Sequence, residues 1–278
     1  MQGSPETLWQ FIKELLGRIG RNDLGAYAAA LSYNFIFAVF PLVLSLLALF
    51  SFFHLSGLVA FESGPLATLI PVNALTLLIT TLSSVVHRES PAVLGVGVVG
   101  FVWGMAGAFR QIIDAVNHAY EYPHPYRRKF WQVYILSVVL GITVGLLIVS
   151  GIILSVTGEH LLANVVWALW RVTVAVEVVD AIRWATLIVL FAFILAILYA
   201  VTPDEPRRFR LLTPGAAVVL VAWVLMSVGF SFYVAHFHTY NQIYGTLGSV
   251  ILLLLYLYFF GFLILIGAQI NAMLEKRR

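Results

Sequence analysis

The run from Ala92 to Phe109 is 18 residues long and carries no charge. As an α-helix rising ~1.5 Å per residue it reaches about 27 Å, close to the ~30 Å hydrocarbon core of a bilayer. A chain holding such a run must bury it within protein or place it in lipid. The rest of the sequence favours lipid: 61% of its 278 residues are hydrophobic, 10% are charged and the mean hydropathy is +0.96, whereas soluble domains carry ~25% charged residues. Too few polar residues remain to coat a water-soluble particle. Because every backbone group must be paired inside a bilayer, the expectation is an all-α membrane protein.

Arg110, Asp114, Asn117 and His118 follow the apolar run at helical spacing, so Arg110 and Asp114 share a face, as do Asp114 and His118. Two readings stand side by side. Either the helix leaves the bilayer at Arg110, whose long side chain reaches the interface, or the stripe is packed inside a bundle and lines a polar path.

Five further stretches read as spans, giving six: Ala28 to Phe53, Ala92 to Phe109, Trp131 to Val156, Ala181 to Val201, Leu211 to Phe237 and Gly245 to Met273. Span one carries Tyr33 and Asn34 early and Pro41 near its middle, where a missing backbone donor leaves the carbonyl of Phe37 unpaired and calls for a bend. Gly141, Gly145 and Gly151 in span three offer surfaces for close helix approach. Pro214 suits the first turn of span five. His236 to Tyr244 reads as a short polar turn. Two segments are too polar to be spans, residues 73–86 between spans one and two and residues 161–179 between spans three and four; both are expected as amphipathic helices on the outer surface, with re-entry into the membrane left open for them. Ahead of span one, Leu8, Trp9, Phe11, Ile12, Leu15, Leu16 and Ile19 oppose Gln10, Lys13, Glu14 and Arg18, the pattern of a helix lying in the interface or packed under the bundle. The chain thus divides into a cytoplasmic amphipathic N-terminal helix, residues 1–27, and a six-span domain, residues 28–278.

The Lys and Arg distribution orients the spans. Three basic residues fall in each of four segments: Lys13, Arg18 and Arg21; Arg127, Arg128 and Lys129; Arg207, Arg208 and Arg210; Lys276, Arg277 and Arg278. Only Arg88, Arg171 and Arg183 fall on the other side. By the positive-inside rule both termini are cytoplasmic. The two Pro-Arg-Arg loops, Pro123 to Phe130 and Pro203 to Phe209, each follow a pair of spans enclosing an outer segment, a weak internal repeat.

Several chemistries are excluded or unsupported. With no cysteine there is neither a disulfide framework nor a thiolate metal site, and no phosphate-cradling glycine loop, His-Glu-x-x-His motif or nucleophile elbow occurs. His236 and His238 are the one close histidine pair, and two ligands do not close a metal site. No cofactor and no metal are expected. The basic residues sit in short loops and set orientation, so they do not point to nucleic acid.

The first span, Ala28-Ala-Ala-Leu31-Ser-Tyr33-Asn34 through Phe40-Pro41-Leu42, resembles the YihY/virulence factor BrkB family. So do the sixth, Tyr244-Gly245-Thr-Leu-Gly248 through Gly267-Ala268-Gln269-Ile-Asn271, and the helix end Asp114-Ala-Val-Asn117. The resemblance runs from about residue 8 to the end. It implies a six-span protein of the bacterial inner membrane, and a link to lipid or lipopolysaccharide export and serum resistance. It also implies an acidic residue where this chain has Gln269. The family's older ribonuclease label finds no support in the residues, since catalysis on RNA needs acid/base or metal groups around a basic groove.

The leading expectation is a non-enzymatic transporter or lipid-translocating protein whose polar path lies among spans one, two and six. Its lining is Tyr33, Asn34, Pro41, Arg110, Asp114, Asn117, Tyr244, Gly245, Gln269 and Asn271, because polar groups in a bilayer are costly and face the bundle interior. Asp114 is the carboxylate placed for proton coupling. Arg127, Arg128, Arg207 and Arg208 are expected to touch lipid head groups, so membrane lipids are the expected partners. The alternative is a scaffold that binds anionic lipids or protein partners without transport.

Overall fold

The computed structural model describes residues 8–52, 91–121, 128–170, 176–205, 207–236 and 238–276. Among them the secondary structure is helical: α1 (Leu8–Arg21), α2 (Leu24–Phe52), α3 (Pro91–Ala119), α4 (Phe130–Trp170), α5 (Val176–Val201), α6 (Pro214–His236) and α7 (His238–Lys276). Five of these helices hold stretches long and apolar enough to cross a membrane: Leu94–Ala119, Phe130–Gly151, Trp184–Val201, Pro214–Val234 and Val250–Lys276. α2 adds a shorter apolar stretch, Leu24–Val39, within a helix of 29 residues. Their outer faces are apolar too. Val96, Val99, Leu146, Val221, Leu225 and Val228 are exposed, a surface that suits lipid and not water.

The helices close a ring. Each of α2 to α7 packs on its neighbour in sequence, α7 returns to α2, and α3 also touches α7. Half of the α3 span is buried against 6% of the α6 span, so α3 is the inner member and α6 the outer one. The core gathers Phe109, Ile112, Ile113 and Val116 of α3 with Leu31 of α2, Leu195 and Leu198 of α5 and Leu265 of α7.

Helix bounds depart from the sequence reading in four places. The helix of span one begins at Leu24, ahead of Ala28, after a two-residue turn in which Asp23 takes a left-handed conformation (φ 47°) that short polar side chains tolerate. α3 does not stop at Arg110 but continues through the polar stripe to Ala119. α4 runs unbroken for 41 residues, about 60 Å. It therefore takes in Leu161 to Trp170, while Val176 to Val179 open α5, so the helix expected over 161–179 is not a separate element among the described residues. α7 starts at His238, so most of the polar stretch expected as a turn is helical; with no Pro or Gly between His238 and Tyr244, nothing there breaks the hydrogen-bond ladder. Residues 73–86 lie outside the described residues.

Helix α1 packs on the bundle along one side and is exposed along the other. Ile19 packs against the core and Arg18 pairs with Glu121 at 3.0 Å, while Trp9, Ile12 and Leu16 stand exposed along one flank.

Candidate functional site

α2 and α3 run antiparallel with close backbone approach. The Pro41 ring sits against Gly100, Ala38 against Gly104 and Asn34 against Gly107; a Cβ on Gly104 would meet the Ala38 backbone at 2.8 Å. α4 approaches α3 in the same manner, since a Cβ on Gly145 would meet the Phe101 ring at 2.5 Å. Small residues at these crossings bring the backbones together. The larger side chains beside them are splayed outward.

Between the splayed side chains lies a cavity of about 330 Å³ lined by Tyr33, Asn34 and Phe37 of α2, Trp103, Gly104, Ala106, Gly107 and Arg110 of α3, and Tyr134 of α4. It opens sideways: Tyr33 is 60% exposed and Trp103 73%. The Tyr33 and Phe37 rings meet tilted at 55° with their centroids 4.6 Å apart, and the Arg110 guanidinium lies over the Phe130 ring at 4.9 Å. The Asn34 amide donates to the carbonyl of Ala30 (2.9 Å) and turns its oxygen toward Gly107. α2 continues as helix through Pro41. Pro41 has no N–H to donate to the carbonyl of Phe37, and Phe37 lines the cavity. Aromatic walls with one cation at the rim match an amphipath with an anionic or polar head.

The stripe on α3 thus splits along its length. Arg110 is exposed at the cavity rim. Asn117 is fully buried. Asp114 and His118 are half-buried between them; His118 Nδ1 lies 2.9 Å from the carbonyl oxygen of Asp114 and 3.0 Å from the Tyr27 hydroxyl. Asp114 therefore sits one turn beyond Arg110 at the cavity rim, level with Tyr27 and not with Asn34.

Asn117, Gln269 and Asn271 are not in that cavity. Asn117 accepts from the backbone N–H of Asp204 (2.8 Å) and donates to its carboxylate (3.4 Å). Gln269 accepts from Asn22 (2.8 Å) and donates to the carbonyl of Ala119 at the end of α3 (3.4 Å). An amide does both at once, which a carboxylate at this position could not. Asn271 accepts from the Gly215 N–H (2.8 Å) and donates to Thr213 (3.0 Å), whose hydroxyl oxygen also accepts from the Ala216 N–H (3.1 Å). Gln269 and Asn271 each satisfy the open end of a neighbouring helix, and Asn117 pins the loop that follows α5. They act as locks at one end of the bundle, and the described residues do not bring them together with Tyr33 and Asn34.

The loop arginines also part company. Arg128 donates to the carbonyls of Val201 (2.9 Å) and Thr202 (3.0 Å), capping the end of α5, with Asp204 at 4.0 Å; it is committed to the fold. Arg207 stacks over Tyr120 at 5.2 Å and pairs with Glu275 at 3.3 Å. Arg207 and Arg208 line a second cavity where α5 ends and α6 begins. Arg127 lies outside the described residues, and Tyr244 and Gly245 fall in the opening turns of α7, where the backbone alone is described. The sequence reading missed Trp103, Tyr134, Asp204 and Thr213. Of these only Thr213 carried a signal, as the capping residue before Pro214 at the first helical position.

Comparisons with known proteins follow the same lines. A family model described as virulence factor BrkB matches residues 15–278. Over 268 residues the chain is 28% identical to the putative ribonuclease-like protein YfkH of Bacillus subtilis, covering 96% of each chain. It is 26% identical to a UPF0761 membrane protein of Tolumonas auensis (93% of this chain, 83% of that one) and 27% identical to the UPF0761 membrane protein RSc1559 of Ralstonia nicotianae (93% and 57%). No solved structure matches.

Proposed function

This chain belongs to the virulence factor BrkB family, and from that premise we propose that it is a six-span protein of the bacterial inner membrane that moves an amphipathic or lipidic substrate held in the lateral cavity of α2, α3 and α4. The observation that carries this reading is the cavity itself: it opens sideways from three helices among exposed apolar side chains, has aromatic walls, and carries Asn34 and Arg110 as its polar groups. A lipid can reach such a space from the bilayer without crossing a closed core. The concentration of Lys and Arg supports termini and Arg loops on the cytoplasmic side. α2 would then supply the sixth crossing.

Movement driven by an ion gradient would use Asp114, whose carboxylate lies within electrostatic reach of Tyr27 beside His118. The ribonuclease-like name of the Bacillus subtilis relative is not extended to this chain, because Arg128 is spent on capping α5 and the acidic Asp204 beside it is buried against Asn117.

Purified protein in vesicles carrying a fluorescent phospholipid tests the reading: label should become accessible to an external quencher faster than in protein-free vesicles, and Asp114→Asn should slow it while leaving the protein folded. No translocation of any lipid or amphipath across a broad panel would sink the proposal.

A further inference from the structure

The second cavity, about 320 Å³, is walled by the end of α5, the start of α6 and the last turns of α7, with Arg207, Arg208, Arg210 and Thr213 on its rim. We propose that it binds the phosphate of an acidic membrane lipid, independently of the transport reading. Four observations carry this. First, three guanidiniums share the cavity lining with one carboxylate, Glu275, which is already paired with Arg207; Arg208 and Arg210 are exposed and form no ion pair among the described residues. The site thus has an excess of positive charge that a phosphate balances, in the planar donor geometry that suits phosphate oxygens.

Second, the Thr213 hydroxyl accepts two hydrogen bonds, from Ala216 N–H and from Asn271. Both lone pairs are used, so its remaining capacity is as a donor, and no acceptor for that hydrogen stands among the described residues. The cavity therefore offers donors and asks for an acceptor. The first amides of α6 are not the source of this preference, since Gly215 and Ala216 already donate to Asn271 and Thr213.

Third, the arginines alternate with apolar side chains turned outward: Phe209, Leu211 and Leu212 are 53%, 47% and 62% exposed, and Phe209 meets Phe193 of α5 at 5.7 Å. A loop built this way suits the zone where head groups meet acyl chains, which selects a lipid over free phosphate as the source. Fourth, the volume lies at the lower end of ligand cavities, ~300–1,000 Å³. It holds a head group and leaves the chains outside, along Phe209, Leu211 and Leu212.

The test titrates the full chain, in neutral detergent, with phosphatidic acid, phosphatidylcholine or inorganic phosphate and reads bound lipid by native mass spectrometry. Phosphatidic acid should bind about tenfold tighter than phosphatidylcholine, and R208Q/R210Q should reduce its affinity about tenfold with an unchanged unfolding temperature. K13Q/K129Q, which removes the same charge from exposed positions elsewhere, should leave it unchanged. If the double variant unfolds, R208Q alone carries the test with about a threefold loss. Equal binding of the two lipids, an equal loss in K13Q/K129Q, wild-type affinity in the arginine variants, or inorganic phosphate bound in place of phosphatidic acid would each overturn the proposal.

Discussion

The lateral cavity and the locked end of the bundle draw on the same kinds of side chain, asparagine and arginine, and put them to opposite use. At the locked end Asn117, Gln269, Asn271 and Arg128 have their polar atoms spent on helix ends and on Asp204, Asn22 and Thr213. In the cavity Asn34 uses one end on its own helix and keeps its oxygen beside Gly107, while Tyr33, Trp103 and Arg110 are exposed. The difference teaches that a polar residue in an apolar helix is not by itself a sign of a path. What matters is whether a neighbouring backbone end already answers it.

That contrast should appear as a separation of stability from activity. The largest effect is expected for Asp204→Ala, which removes the carboxylate beside Arg128 and Asn117 and leaves a mostly buried guanidinium without it, at about 3 kcal/mol. A marked fall in the unfolding temperature in detergent is the expected reading, and a wild-type value would show that the lock is not one.

Two glycines of the cavity floor sharpen the boundary. Gly104→Ala places a methyl 2.8 Å from the Ala38 backbone, which cannot yield without moving α2 from α3, and about 1–3 kcal/mol is expected from such overpacking. Gly107→Ala meets the amide end of Asn34 instead, a side chain that can swing into the cavity. Its cost should be below ~1 kcal/mol, yet lipid translocation should drop; the reverse order of stabilities would refute the register drawn between the two helices.

Trp103→Ala acts on the cavity wall alone. With 73% of the residue exposed, the change in stability should stay within ~0.5 kcal/mol, while translocation in vesicles slows. Unchanged rates would take the aromatic wall out of the function.

A further small effect lies outside the spans, at Glu121. Its hydrogen bond to Lys276 (2.5 Å), with further help from the charges of Lys276, Arg18 and Arg21, holds its carboxyl below the usual 4.5. A folded value lowered in this way adds stability that is present above the unfolded value and is lost as the pH falls through the folded one. Because the side chain is 46% exposed, less than ~1 kcal/mol is at stake. The gap in unfolding temperature between wild type and Glu121→Gln should therefore close as the pH drops from neutral to below 4.5; a gap that widens on acidification would contradict the pairing.

By itself the sequence determined the class of molecule and the places of its apolar helices, because a run such as Ala92 to Phe109 has no other stable environment and because hydrophobicity is a property of each residue alone. It also determined the family, carried by residues of the first and last spans. It marked Asn34, Arg110, Asn117, Gln269 and Asn271 as unusual, since a polar group among apolar neighbours is visible without coordinates. Tertiary structure alone decided which of them serve the fold. Asn117 and Asp204 are 87 residues apart in the chain and Asn22 and Gln269 are 247 apart, and no local pattern encodes that pairing. The same holds for the cavity, whose walls come from three helices, and for the ends of α4 and α7, where an unbroken hydrogen-bond ladder carries the helix past the residues at which hydropathy alone would stop it.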